Sequence, residues 1–245
     1  MELSTKRYNI AGLNIEMTLW DAMTARQAEK YRCDFSGEPD LILGHNKERI
    51  DWYIENKKPL TAEQCEYVFT GAWFNSRLLE HNGFMLHSSA VYYGGKAYLF
   101  SADSGTGKST HTALWLKYLG DKAKILNDDK PAVRIIDGKC YACGTPWSGK
   151  NDNSTNAIVE IGGIVFLERS TTPKIEREND TLFAITNILR QTIMPRTVDA
   201  NDSLFKLMEK LIADIPVYKL YADIGEEAFK TSFEGLTGEE YKING

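Results

Sequence analysis

The alternation of hydrophobic and polar residues predicts strands in the N-terminal part of the chain, followed by one long helix. Residues 8–20 and 41–54 mix short apolar runs with Gly and Asn, which indicates β-structure. Thr61 and Gln64 have the spacing of a capping box ahead of an amphipathic run. Gly83 follows that run and is expected to cap the C-terminus of the helix.

A β-hairpin is predicted in the middle of the chain. The β-rich runs FMLHSSAVYY and KAYLFS are separated only by Gly94-Gly95, which favours a two-residue turn. Such a turn pairs Tyr93 with Lys96. Counting outward along both strands then predicts that His87 lies opposite Ala102, which a one-residue bulge would prevent.

The rest of the chain alternates between strand and helix patterns, which predicts a mixed-sheet α/β fold. The first 80 residues are predicted to be an α+β segment packed on a domain that covers residues 81–245, and whether this segment is a separate subdomain is left open. The remaining predicted elements are a helix at 107–119, the strands AKILN, AVRII and KCYAC, the β stretch AIVEIGGIVFLE, helices at 180–193 and 202–213, the strand PVYKLYA and a helix at 225–234.

Composition and charge exclude several classes of protein. The net charge of −5 and the pI near 5.5 argue against a general nucleic-acid binder, which needs a basic face. The hydrophobic fraction of 42% is that of a globular chain. No apolar run reaches the roughly 18 residues of a membrane span, and the N-terminus has no apolar signal core. We therefore expect a cytoplasmic protein that does not bind membranes.

The cysteines are not expected to form disulfides or a metal site. Cys140 and Cys143 have the two-residue gap of zinc and redox pairs. No further ligands flank them, however, and the alternation in KCYAC is typical of a plain strand.

The clearest chemical pattern is ADSGTGKS at residues 102–109, called the phosphate loop below. It matches G-x-x-x-x-G-K-[ST] except that Ala102 replaces the first glycine. Gly105 and Gly107 allow backbone N–H groups to face phosphate oxygens. Lys108 can bridge the β- and γ-phosphates, and the Ser109 hydroxyl can bind Mg²⁺. The alternative is a Gly-Ser turn with a chance lysine, but a strand pattern before the loop and a helix pattern after it favour the phosphate site.

Two carboxylates follow the strand AKILN. Asp128 and Asp129 therefore fall at a carboxyl edge, where ligands bind in open α/β sheets. In an extended chain they point to opposite faces, so that one can reach a metal and the other an attacking hydroxyl. A solvated turn before Pro131 is the alternative.

Other segments carry weaker indications of function. The loop GTPWSGK at 144–150 either covers a ligand, with Lys150 facing phosphate, or packs as a Pro-Trp turn. Arg190 and Arg196 either stabilise developing charge or are exposed residues at the end of a helix. His111 is expected to occupy the helix that follows the phosphate loop.

The motif HSSAV at 87–91, the DSGTGKS loop and the Asp128-Asp129 pair together resemble the catalytic domain of bacterial HPr kinase/phosphorylase. The SGTGK portion is also similar to ATP-dependent phosphoenolpyruvate carboxykinase. The resemblance covers roughly residues 84–136. It implies a mixed-sheet P-loop kinase fold that uses ATP and Mg²⁺. By this resemblance the nucleotide phosphates would be bound by Asp103, Ser104, Gly105, Thr106, Gly107, Lys108, Ser109 and Thr110.

The resemblance also implies catalytic roles. Asp128 would act as acid and base on the acceptor hydroxyl, helped by His87, while Asp129 and Ser109 would bind magnesium. The Gly-rich, Arg-containing segment that follows in HPr kinases is missing here, so a different acceptor is expected, namely a small molecule or a Ser or Thr of a peptide. The relatives are oligomers, so the resemblance also allows a homo-oligomer.

Two other functions remain open at this point. A nucleotide-binding sensor or interaction module would share the phosphate loop but not the need for Asp128 or His87. Carboxykinase-like chemistry ranks last, because those enzymes are about twice as long as this chain.

Overall fold

The computed structural model describes residues 2–57 and 60–242, which form two β-sheets with helices packed against them. The strands are β1 (Leu3–Ile10), β2 (Leu13–Trp20), β3 (Leu41–Leu43), β4 (Gly83–Met85), β5 (Ser89–Tyr93), β6 (Lys96–Ser101), β7 (Ala123–Asn127), β8 (Ala132–Ile136), β9 (Lys139–Cys143), β10 (Ile158–Arg169), β11 (Lys174–Glu178) and β12 (Val217–Ala222). The helices are α1 (Met23–Ala28), α2 (Lys47–Asn56), α3 (Ala62–Leu78), α4 (Lys108–Leu119), α5 (Thr181–Arg190), α6 (Val198–Asp214) and α7 (Glu226–Thr237).

The first sheet lies near the N-terminus. Strands β1 and β2 form an antiparallel hairpin, and β3 adds to β2 in parallel. Alternate side chains of β2 are buried, from Leu13 to Leu19, because successive residues of a strand face opposite sides of the sheet. This sheet therefore has one apolar face, which packs against the rest of the molecule.

The second sheet is mixed and brings four strand ends to one edge. Strand β10 pairs in parallel with β6 and with β12, and β5 is antiparallel to both β6 and β7. Strands β6, β7, β10 and β12 therefore run in the same direction. The phosphate loop follows β6 and the two aspartates follow β7, so both predicted motifs lie at the carboxyl edge of this sheet.

Helices cover both faces of the central strands. On β6, Phe100 faces a cluster with Trp115 of α4 and Phe229 of α7. Its neighbour Leu99 faces the other cluster, which contains Met208 of α6. The sheet is thus the middle layer between α4 and α7 on one side and α5 and α6 on the other, which confirms the expected mixed α/β class.

A third cluster joins the N-terminal sheet to the second sheet. It contains Ile15 and Phe74 from the N-terminal part of the chain together with Ala132, Cys143 and Trp147. The predicted boundary near residue 80 is not a gap in the packing, because apolar side chains from both sides share this core. The division into two domains stays a prediction.

Several local predictions are confirmed. The hairpin of β5 and β6 pairs Tyr93 with Lys96 around Gly94-Gly95. The Thr61 hydroxyl accepts from the Gln64 N–H while the Gln64 side chain accepts from the Thr61 N–H, which completes the capping box of α3.

The β-structure predicted for residues 41–54 is mostly wrong. Only Leu41–Leu43 form a strand, and α2 begins at Lys47. The Asn46 side chain caps α2 by accepting a hydrogen bond from the Arg49 N–H. The pattern HNKERIDWYI therefore contained an N-cap followed by a helical spacing of apolar residues.

Three further details differ from expectation. Asn82, not Gly83, takes the left-handed conformation after α3, with φ of +56°. Gly83 instead begins β4, where a Cβ would lie 2.7 Å from the Val133 carbonyl oxygen. Strand β11 and helix α1 were not predicted, and α6 begins earlier than residue 202, because Thr197 caps it.

In the part of the chain that the structure describes, no helix combines the length and the apolar character that crossing a bilayer requires.

Candidate functional site

The phosphate loop turns sharply between β6 and α4. Gly105 and Gly107 have φ angles of +79° and +121°, which L side chains rarely adopt. A Cβ on either glycine would meet no atom within 4 Å, so the backbone there faces open space. Ala102 is not among the described residues with positive φ. Alanine therefore fits the first position of the motif without strain.

Lys108 lies under this loop. Its Nζ donates to the Ala102 carbonyl at 2.8 Å and lies 3.4 Å from that of Asp103. The side chain is largely buried, and burial lowers the pKa of its ammonium group, while Asp129 and Asp103 act in the opposite direction. The amine is thus held at the loop by carbonyl oxygens that a phosphate could replace.

Asp128 faces the helix that follows the loop. Its Oδ1 accepts a hydrogen bond of 2.6 Å from the Ser89 hydroxyl. That hydroxyl lies 2.7 Å from the Thr112 hydroxyl of α4. Thr112 lies one turn after Ser109, which is in the first turn of α4. Asp128 is therefore on the side of the site that holds the predicted magnesium ligand Ser109.

Asp129 faces His87 instead. Its Oδ1 lies 3.4 Å from His87 Nε2, and its Oδ2 accepts from Lys130 Nζ at 2.8 Å. The two aspartates therefore have separate sets of partners. The expected extended chain is wrong here, because the chain bends at both residues and Asn127 Oδ1 accepts from the N–H groups of Asp129 and Lys130. The histidine, however, lies against Asp129 and not against Asp128, which corrects the expected pairing.

His87 is held by Gln191, which the sequence did not single out. The Gln191 carbonyl accepts from the His87 N–H at 2.8 Å, and its side-chain Oε1 lies 3.0 Å from His87 Nδ1. An amide oxygen can only accept, so Nδ1 carries the proton and Nε2 presents a lone pair towards Asp129. Gln191 Nε2 also lies 3.4 Å from Asp103 Oδ1 in the phosphate loop.

His87 does not lie at the hairpin position that the sequence predicts. The β5–β6 ladder ends at Ser89 and Phe100, so His87 does not pair with Ala102 as expected. Its N–H is bonded to Gln191, and its carbonyl accepts from the Ser101 hydroxyl. The His87 side chain nevertheless lies in the site, with Nε2 3.4 Å from Asp129 Oδ1.

Burial lowers the pKa of His87, and the ammonium groups of Lys108 and Lys130 lower it further. Asp129 and Gln191 act in the opposite direction. The imidazole is therefore neutral near pH 7, with Nε2 available as a proton acceptor.

Arg169 is a second residue that sequence reasoning missed. It ends β10 and donates to the carbonyl oxygens of Gly105 and Thr106, the latter at 3.0 Å. A groove of about 590 Å³ runs beside the loop between Arg169, Arg190 and Gln191. The position of Arg169 at the end of an apolar strand was a usable signal, because the other site residues also follow strands at this edge.

The loop at 144–150 is packed rather than free. Trp147 is fully buried, stacks on Phe74 at 4.8 Å between centroids and donates to the Thr70 hydroxyl. The interpretation as a packed Pro-Trp turn is thus confirmed for Trp147. The end of the loop nevertheless runs beside the site, since a Cβ on Gly149 would lie 3.4 Å from Asp129 Cβ.

The two candidate arginines lie in different places. Arg190 lines the groove beside the phosphate loop. Arg196 lines another cavity, formed with α3. His111 lies on α4 as predicted, with Nε2 2.9 Å from the Ser232 hydroxyl of α7, and burial lowers its pKa to about 4.

Oxygen donors of the kind that a nucleotide-bound Mg²⁺ takes lie beside the phosphate loop. Within residues 2–57 and 60–242, no group of three or more His, Cys, Asp or Glu side chains could hold an ion. Mg²⁺ beside phosphates usually needs only one or two protein ligands. A hydroxyl at Ser109 and a carboxylate at Asp128 are donors of the kind that this ion prefers.

No model of a protein family matches this chain, and no curated protein matches it either. Among solved structures, the chain is similar to the Hpr(Ser) kinase/phosphatase from Coxiella burnetii, with 12% sequence identity and a TM-score of 0.36. The similarity covers 63% of this chain and 93% of that one. It is a distant resemblance of fold.

Proposed function

We propose that the protein is a Mg·ATP-dependent kinase that transfers the γ-phosphoryl group to a hydroxyl. The observation that carries this proposal is the proximity of three features at one sheet edge: a glycine-rich loop with a buried lysine, a carboxylate beside the loop helix, and a carboxylate against a neutral histidine. Phosphoryl transfer requires positioning, charge neutralisation and a proton acceptor, and these features can supply all three.

The phosphate loop would bind the nucleotide phosphates. The positive φ angles of Gly105 and Gly107 would let the loop turn backbone N–H groups towards an anion, and α4 would add the positive end of its dipole. Lys108 would exchange its carbonyl partners for the β- and γ-phosphates. Ser109 and Asp128 would hold Mg²⁺, which neutralises negative charge on the phosphoryl group.

Asp129 and His87 would accept the proton of the acceptor hydroxyl. As the acceptor oxygen bonds to the γ-phosphorus, the bond from that phosphorus to the bridging oxygen of ADP breaks. The hydroxyl proton passes to the Asp129–His87 pair and then to solvent. Gln191 holds the imidazole in the tautomer that leaves Nε2 free to share this proton.

This assignment exchanges the expected roles of the two aspartates. Asp129 Oδ1 lies 3.4 Å from His87 Nε2, so a proton accepted by either group could be shared between them. Asp128 has hydroxyl neighbours on the side of Ser109. We therefore place Asp128 on the metal side of the proposed mechanism and Asp129 on the acceptor side.

The proposal is tested with γ-labelled Mg·ATP and a cytosolic extract separated into metabolites, peptides and proteins. Wild type is expected to label one fraction, which identifies the class of acceptor. Asp129→Asn should reduce transfer about 10²- to 10⁴-fold with nucleotide binding retained. Asp128→Asn should instead raise the magnesium concentration needed for half-maximal transfer.

Lys108→Ala tests the role of the loop lysine, and Lys117→Ala is its matched control. Both remove a lysine from α4, but only Lys108 lies under the loop. Loss of ATP binding in Lys108→Ala alone supports the site. If ATP binds in a Lys108-dependent way and no fraction is labelled, the protein is a nucleotide-binding module without transfer. An unchanged rate in Asp129→Asn would overturn the proposed base.

A further inference from the structure

A second cavity, of about 470 Å³, lies away from the phosphate loop. It is enclosed by the segment around His45, by α3, and by the chain between α5 and α6. It shares no lining residue with the groove beside the phosphate loop. The proposed phosphoryl transfer makes no use of it.

One wall of this cavity is apolar and partly open to solvent. Phe69 and Trp73 of α3 line the cavity together with Ile193 and Met194. Trp73, Ile193 and Met194 are 41%, 44% and 45% exposed, although each is large and apolar. Apolar side chains gathered around a concave surface are typical of sites that bind an organic ligand.

The residues that line the cavity carry more positive than negative charge. Arg49 and Arg196 both line the cavity, and neither forms an ion pair with any residue that the structure describes. Among the described lining residues the single carboxylate is Glu66, which is 1% exposed and accepts from the Trp20 N–H at 2.9 Å. Burial raises the pKa of Glu66 to about 7, so much of it is uncharged near neutral pH. The positive charge of the two guanidinium groups is therefore not cancelled from within the cavity.

Two buried polar atoms beside the cavity lack partners. His45 Nδ1 lies 3.0 Å from Glu66 Oε1, but His45 Nε2 and Glu66 Oε2 have no hydrogen-bond partner. Both residues line the cavity. Buried polar atoms are nearly always paired in folded proteins, so two unpaired atoms in one cavity lining require an explanation, and a bound ligand is one that the cavity can accommodate.

We propose that this cavity binds a small organic anion, with its carboxylate at Arg49 and Arg196 and its apolar body against Phe69 and Trp73. Guanidinium groups without carboxylate partners bind carboxylates through charge-assisted hydrogen bonds. Arg49 also lies over the Phe69 ring, 4.6 Å from its centroid, so the charged and apolar parts of the site adjoin one another. The proposal does not depend on phosphoryl transfer, because its test measures binding only.

Calorimetric titration with two matched pairs of probes tests the proposal. Indole-3-acetate and phenylacetate carry the charge, and indole-3-acetamide and phenylacetamide are their neutral counterparts. Wild type is expected to bind the acids more tightly than the amides by about tenfold or more, the size of a charge-assisted contact. The double variant Arg49→Gln/Arg196→Gln should lose this preference and keep its affinity for the amides.

Two controls separate the site from general effects. Arg177→Gln removes the same charge from β11, away from the cavity, and should retain the preference for acids. Trp73→Ala should weaken acids and amides alike, and its unfolding curve shows whether it is folded. Equal affinities for acid and amide in wild type, absence of binding by all four probes, or an unchanged preference in the double variant would each overturn the proposal.

Discussion

At the scale of single residues, His111 shows how burial fixes a protonation state. The Ser232 hydroxyl donates to the Phe229 carbonyl, so it accepts from Trp115 Nε1 and from His111 Nε2. His111 is therefore the Nε2–H tautomer, and its Nδ1 is buried without a partner. Protonation would place an unpaired N–H in the core between α4 and α7, which explains the lowered pKa.

This lowered pKa predicts loss of stability in acid. The unfolded chain binds the proton near pH 6.5 and the folded chain near pH 4, so the unfolded state binds more protons between these values. Wild type should lose about 3 kcal/mol of unfolding free energy through this group as pH falls from 6.5 to 4. Denaturant unfolding of wild type and His111→Gln at several pH values measures this loss.

In the His111→Gln variant the acid-dependent loss should be smaller by that amount, even if the variant is less stable at pH 7. His81→Gln is the control for removal of a histidine, because His81 lies outside the core. Equal pH dependence of wild type and His111→Gln would contradict the explanation from burial.

A second prediction at this scale concerns His87. Because its pKa is lowered from 6.5, the proton-accepting form persists below that pH, and the acid limb of kcat/KM for phosphoryl transfer should fall below pH 6.5. In His87→Gln the limb set by the imidazole should disappear, and the rate should drop. The pH–rate profile of both proteins is the measurement. A wild-type limb at or above pH 6.5 would argue against His87 as an acceptor.

At the scale of elements, α3 holds the loop at 144–150 through a close approach. A Cβ on Gly71 would lie 2.8 Å from Trp147 Cδ1 and 3.0 Å from Trp147 Nε1. Trp147 is fully buried and stacked on Phe74, so moving it would disrupt packed contacts. The absence of a side chain at position 71 thus allows the indole to donate to Thr70 in the same helix.

Gly71→Ala is therefore expected to lower the unfolding free energy by about 1–3 kcal/mol through overpacking. A decrease in the unfolding free energy would distinguish overpacking from helix propensity, because Gly→Ala inside a helix ordinarily raises stability by about 1 kcal/mol. Denaturant unfolding measures the effect. In a Trp147→Leu background the clash is removed, so Gly71→Ala should then be neutral or stabilising; the same loss in both backgrounds would refute the packing argument.

Elements with a local signal could be predicted, and those that depend on tertiary contacts could not. Thr61 and Gln64 form a complete cap within four residues, and Gly94-Gly95 defines a hairpin by itself. Strand β11 has the sequence KIERE, which is largely polar and exposed. Its pairing with β12 is what makes it a strand. Nothing within its own sequence indicates that partner.

The same distinction applies to the site. The phosphate loop and the aspartate pair follow from short motifs next to strands. Gln191 was missed because it contacts His87 from a position 104 residues later in the chain. The pairing of His87 with Asp129 depends on where the hairpin ladder ends, which counting from the turn does not give.

At the scale of the whole molecule, the N-terminal segment is part of the structure that supports the site. Tyr67 and Gln27 hold Gly149 through its N–H and its carbonyl, at 2.9 and 2.7 Å. Arg134 of β8 donates to the carbonyl of Ala11 at 2.7 Å. Since Gly149 lies beside Asp129, the packing of residues before position 80 fixes one wall of the candidate site.

We therefore expect both sheets to unfold in a single transition. Phe74 lies on α3, and Trp147 lies in the loop that follows β9 of the second sheet. The two side chains share one core, so neither part of the chain can keep its apolar surface buried without the other. Phe74→Ala should lower the unfolding free energy by about 3–5 kcal/mol, the usual cost of removing a buried aromatic ring. Tryptophan fluorescence and far-ultraviolet circular dichroism should report the same shifted midpoint in denaturant. Two separate transitions, with Phe74→Ala moving only one of them, would mean that the chain contains two independent domains after all.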